Sequence, residues 1–86
     1  MDTNPVEVQR IASKYNLGKV LTSTRKDKKY MIENPAGKMV HFGAKGYADF
    51  TGHKDPVRLM NFRKRNAKWK SAPKWSPGWL AYHLLW

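Results

Sequence analysis

Val40-His41-Phe42-Gly43-Ala44-Lys45-Gly46-Tyr47-Ala48-Asp49-Phe50-Thr51-Gly52-His53-Lys54 is the stretch on which the reading of the fold turns. It crowds three aromatic residues, three glycines and both signs of charge into fifteen positions. The chain before it reads as sheet and the chain after it as basic helix, so the joint between those two layers must be built here. Phe42, Tyr47 and Phe50 are expected to bury against sheet and helix. Gly43 and Gly46 would permit the turn, and Asp49 or His53 would hydrogen-bond main chain to hold it.

Outward toward the N-terminus, residues 19–42 read as a three-stranded antiparallel meander. Lys19 to Thr24 holds β-formers and is followed by a polar cluster from Arg25 to Lys28. Lys29 to Glu33 comes next, then the turn Asn34-Pro35-Ala36-Gly37, then Lys38 to Phe42. Tyr30 and Ile32 share one face; on the third strand Met39 and His41 oppose Val40 and Phe42, and which of those two pairs is buried stays open. Residues 1–18 read as a helix, with Asn4 as N-cap and Pro5 at the first position. Val8, Ile11, Ala12 and Tyr15 make its apolar face, and Gly18 is placed to end it.

Outward toward the C-terminus, Asp55-Pro56 is a second cap and first-turn proline, and residues 55–70 read as one basic helix. Val57, Leu59, Met60, Phe62, Ala67 and Trp69 supply its apolar side. Residues 71–86 form a Trp-rich tail in which Ser76-Pro77 starts a short final helix. Its last segment, Trp79 to Trp86, is nearly all apolar and would be costly to leave in water. It is either the lid of this protein's own core or a peg for another chain, with Trp79, Tyr82 and Trp86 as the docking residues in the second case. A domain this small needs the buried area, which favours the core.

Composition narrows the function classes. Eighty-six residues make one domain, and there is no cysteine to supply a disulfide or a thiolate metal site. No run reaches the roughly 18 apolar residues of a membrane span, and the first residues lack the form of a signal peptide. The expectation is a soluble protein of a reducing compartment. Net charge is +11, all six acids occur at or before Asp55, and the last thirty-one residues hold seven Lys and Arg and no acid. Self-repulsion at that density calls for a polyanionic partner, nucleic acid first and an acidic protein face second.

Enzyme chemistry is weakly supported. His41, His53 and His83 fall on three different elements, and no metal-ligand spacing is present. His53 with Asp49 or Asp55 has no activated nucleophile or oxyanion site beside it. Gly43-Ala44-Lys45-Gly46 matches the short loop that clamps a nucleic-acid backbone in KH domains, yet it follows a strand here and is read as a turn. No catalytic residue, metal, cofactor or small-molecule substrate is therefore expected. The basic helix carries more. Arg58, Arg63, Lys64, Arg65, Lys68 and Lys70 interleave with Phe62 and Trp69, the combination that neutralises phosphates and stacks on bases. Lys45 and the first-hairpin residues Lys26 and Lys28 would assist. Without a helix-turn-helix or zinc-finger pattern, binding by charge and shape is expected rather than base reading.

His41-Phe42-Gly43-Ala44-Lys45-Gly46-Tyr47, then Asp49-Phe50-Thr51 and His53-Lys54-Asp55-Pro56 with a basic helix behind, resembles a family of small basic proteins of unknown function. Its members are encoded by nucleocytoplasmic large DNA viruses and some phages. The resemblance spans residues 38–86, including the tail from Gly78-Trp79 to Trp86, and leaves out the first helix. The chain departs from the family pattern where Arg65 is followed by Asn66 and no acid precedes Trp69. The resemblance implies a virion-associated component, present in the host cytoplasm or nucleus during assembly. The expectation is thus an α+β domain that binds nucleic acid, DNA first, without sequence specificity and without catalysis. The alternative is a minor capsid or scaffold protein that bridges larger shell proteins.

Overall fold

The structure is a computed structural model and describes residues 3–86. Residues 1 and 2 of the first segment lie outside it. Helix α1 spans Pro5–Lys14, and the Asn4 side chain accepts from the Glu7 N–H at 3.2 Å, as an N-cap should. The helix does not run to Gly18. Asn16 takes a left-handed conformation (φ 59°), its N–H donates to the Ser13 carbonyl at 3.0 Å, and the Leu17 N–H donates to the Ala12 carbonyl at 2.9 Å. Those paired bonds are a Schellman motif, and the buried Leu17 is its hydrophobic closure. Asparagine tolerates the left-handed region better than most residues, so the helix stops two positions early.

Strands β1 (Val20–Thr22), β2 (Lys28–Glu33) and β3 (Met39–Ala44) form an antiparallel meander in that order. Tyr30 pairs with Phe42 and Ile32 with Val40, which puts these four residues on one face. Tyr30, Ile32 and Phe42 are buried there and Val40 packs against them, while Met39 is exposed. The pair left open by alternation is thus Val40 and Phe42. Helix α1 supplies Val8 and Ala12 to the same core, and the Trp-rich tail supplies Leu80, Leu84 and Leu85. The architecture is α+β, with helices covering one face of the sheet.

Between sheet and basic helix lies a single turn of helix, α2 (Phe50–His53). Helix α3 (Pro56–Arg65) follows, and Asp55 caps it by accepting from the Val57 N–H at 3.0 Å. The basic helix does not continue to residue 70. Asn66 closes it, donating to the Phe62 carbonyl from both its main-chain N–H (2.9 Å) and its side chain (3.1 Å), and Ala67–Ser71 is a tighter 3₁₀ turn. The tail begins with α4 (Pro77–Leu80), capped by Ser76, and continues through Ala81–Leu85 as one π-helical turn. Tyr82 is only 7% exposed, and Trp79 and Trp86 pack against the core. The tail thus packs as core, the alternative that the need for buried area favoured, and Tyr82, named as a docking residue under the other alternative, is turned inside.

Candidate nucleic-acid interface

The fifteen-residue joint is held by a buried polar chain. Asp49 is 1% exposed, and its carboxylate meets the Lys29 ammonium at 3.0 Å. It also accepts from the Thr51 hydroxyl, which in turn accepts from the Asn4 N–H at 3.0 Å. The Thr3 hydroxyl lies 2.7 Å from the Tyr30 hydroxyl and 3.3 Å from that of Thr51. One network thus ties the start of α1 and strand β2 to α2. Lys29, which the sequence places at the start of the second strand, is an internal residue of that network.

His53 holds main chain, as expected of one of the pair: its Nδ1 accepts from the Asp55 N–H at 2.9 Å. The proton of the neutral ring then sits on Nε2, which is buried without a hydrogen-bond partner among the described residues. Burial, reinforced by the Arg58 charge, pushes the imidazole below its ordinary value against the smaller pulls of Asp55 and Asp49. Asp49 does the same work through side chains rather than main chain. Tyr47 departs from expectation. It is 72% exposed, because the turn at Gly46 (φ 93°) swings it away from the sheet.

Gly43 is not in that turn. It lies in β3 with φ 82°, between the pairs Tyr30–Phe42 and Lys28–Ala44. A Cβ there would sit 2.9 Å from the Leu85 side chain and 3.3 Å from that of Lys29. Its bare backbone is what lets the tail close onto the sheet.

Beside this joint a groove of about 600 Å³ opens between the end of the sheet and α3. Asp49 and Leu85 lie at its buried floor, Tyr47 and Lys28 stand on the sheet side, and Arg58, Phe62, Arg65 and Trp69 come from the other. The last four follow a spacing of four, three and four, so one side of α3 and its 3₁₀ extension turns toward the groove. Phe62 is held flat against Trp86 (ring centroids 4.3 Å apart, 5° between planes), and Trp69 lies on Gly78, where a Cβ would come within 3.0 Å of the indole. Among the described residues the ion pairs engage only Arg10, Lys29 and Lys54. Lys28, Arg58 and Arg65 therefore face the groove with no carboxylate partner in that set.

The sequence-predicted cations do not form one face. Arg58 and Arg65 line the groove. Arg63 and Lys64 border a shallow depression on another side of α3, with Leu59 and Met60. Arg63 also donates to the Trp86 main-chain oxygen at 2.7 Å and lies over the Tyr82 ring. Lys68 and Lys70 project from the 3₁₀ turn beyond the helix end, both exposed. Lys45 donates from its main-chain N–H to the Asp27 carbonyl at 3.0 Å, which brings it to the sheet corner that carries Lys26 and leads to Lys28. Sequence reasoning missed Tyr47 as a surface residue. The available signal was its position two residues before Asp49 in a glycine-bounded loop.

No solved structure and no curated protein matches the chain. The model of a family of unknown function, DUF5754, matches residues 18–66. That span takes in the whole meander, the joint and α3, and stops before the Trp-rich tail, whereas the resemblance read from the motif ran over residues 38–86. With more than half of its length matched, the chain belongs to the family of unknown function DUF5754.

Proposed function

We propose that this protein binds nucleic acid, DNA first, without reading its sequence, and does so as a non-enzymatic, virion-associated component. One observation carries the reading: Lys28, Arg58 and Arg65 surround a groove whose one carboxylate among the described residues, Asp49, is already held by Lys29. Cations gathered there without an internal anion are a site for an external one, and phosphates meet that need by releasing their own counterions. The excess of +11 over the whole chain supports the same partner. The virion setting rests on the motif's resemblance to virus-encoded basic proteins.

Binding of a labelled 20-base-pair duplex, measured by anisotropy across a salt series, tests the reading. Log affinity is expected to fall linearly with log salt, by roughly 0.9 for each phosphate neutralised, and Arg58→Ala with Arg65→Ala is expected to reduce that slope by about 2. No binding at micromolar protein in low salt removes it.

A minor capsid or scaffold role is the second reading, favoured by the outer side of α3. Val57 (58% exposed) and Met60 (62% exposed) lie there, with Arg63 and Lys64 nearby, an apolar patch with a cationic margin that suits an acidic protein face. Fractionation of particles that separates shell from genome distinguishes the two.

A further inference from the structure

We infer that the groove takes an unpaired nucleotide, so that the preferred partner is single-stranded DNA, with Tyr47 as the stacking platform and Lys28, Arg58 and Arg65 on the adjoining phosphates. The inference rests on the nucleic-acid reading above and narrows it. Tyr47 is the key observation. It is 72% exposed on the lip of the groove, in a protein that buries or half-buries Tyr30, Tyr82, all three Phe and all four Trp. No other ring packs on it among the described residues, whereas Phe62, Trp69 and Trp86 are engaged with one another or with Gly78. An exposed large aromatic ring beside a concave cationic surface is the arrangement that binds bases by their faces.

Bases in a duplex are stacked on each other and present only their edges in the grooves, so Tyr47 gains nothing from a duplex. An unpaired base offers a face. The remaining geometry agrees with this occupant. About 600 Å³ falls within the range of small-ligand clefts. Arg58 and Arg65 stand one above the other on α3, seven residues apart, facing Lys28 across the opening. A backbone running between them meets cations on both sides. Among the described residues Tyr47 is outside the core and outside the set packed against it, so removing its ring leaves the fold intact.

The test measures affinity for a labelled 12-nucleotide pyrimidine strand and for a 12-base-pair duplex at one salt concentration, with circular dichroism confirming the fold of each variant. The single strand is expected to bind several-fold more tightly than the duplex. Tyr47→Ala is expected to weaken single-strand binding roughly tenfold and duplex binding less than twofold, and Tyr47→Phe to keep the wild-type preference. Arg65→Ala weakens both substrates. If both are bound and Tyr47→Ala changes neither, the stacking site is wrong while nucleic-acid binding stands. If the duplex is bound as tightly as the strand, the single-strand preference is likewise overturned. If neither is bound at low salt, the broader reading fails with it.

Discussion

Asp49 is a carboxylate almost without solvent, and the one cation beside it among the described residues is Lys29, whose side chain is 8% exposed. Removing one member of such a pair strands the other in a poorly solvated site, which costs about 3–5 kcal/mol. Asp49→Ala should therefore take a large part of the stability of a domain whose total is on the order of 5–15 kcal/mol. The double variant Lys29→Met with Asp49→Leu should retain far more, and urea unfolding compares the two; equal losses would mean that the charges are not what matters. His53 makes a second prediction. Its folded value lies below the roughly 6.5 of an unfolded histidine, so the unfolded chain binds the proton first. Stability is full above pH 6.5 and declines as pH falls toward the lower folded value. In His53→Gln the decline in urea midpoint between pH 7 and pH 5 should be shallower, and an unchanged slope would assign it elsewhere.

At the scale of elements, the tail and α3 are opposites. The tail gives the core Leu80, Leu84 and Leu85, whereas α3 has no buried residue and is fastened by its half-buried Leu59 and Phe62, by Arg63 and by the Asp55 cap. Leu84→Ala should cost about 2–5 kcal/mol, and Met60→Ala less than about 0.5 kcal/mol. Amides of α3 should exchange with solvent well before those of β2, since local opening is easiest where few apolar contacts are lost. Protection of α3 equal to that of the central strand would show that it belongs to the same cooperative unit. What could be read from sequence divides along the same line. Asn4-Pro5, Asp55-Pro56 and Ser76-Pro77 announced three helix starts because a cap is a contact over two or three residues. The early stops at Asn16 and Asn66 were missed, since each asparagine replaces the glycine or proline that usually marks an end. The groove was legible only as a list of cations: its walls come from residues as far apart as Lys28 and Trp86, and only the chain's path decides that Arg58 and Arg65 face it while Lys64 does not.

For the whole molecule, charge is the dominant fact. A radius of gyration of 12.0 Å confines a net +11 to a body about as small as 86 folded residues can make. Repulsion at this distance is comparable in range to the Debye length at physiological salt, about 8 Å, so salt relieves it. The melting temperature should rise by several degrees between 10 mM and 300 mM sodium chloride, in contrast to DNA affinity, which should fall. A melting temperature that is flat or falling with salt would mean that the cations are arranged without mutual strain, and the case for an obligatory polyanion would lose its basis.

The parallel overlap of Phe62 with Trp86 also has an optical consequence. The four tryptophans all lie in the last eighteen residues, and they divide in space: Trp69 and Trp86 line the groove, Trp75 packs against the core, and Trp79 meets the edge of Tyr15 at the end of α1. Ultraviolet emission from the first pair therefore reports the state of the groove, and that from Trp79 the seating of the first helix. Exchanging Trp69 and Trp86 for phenylalanine one at a time separates the signals, giving a label-free view of each region.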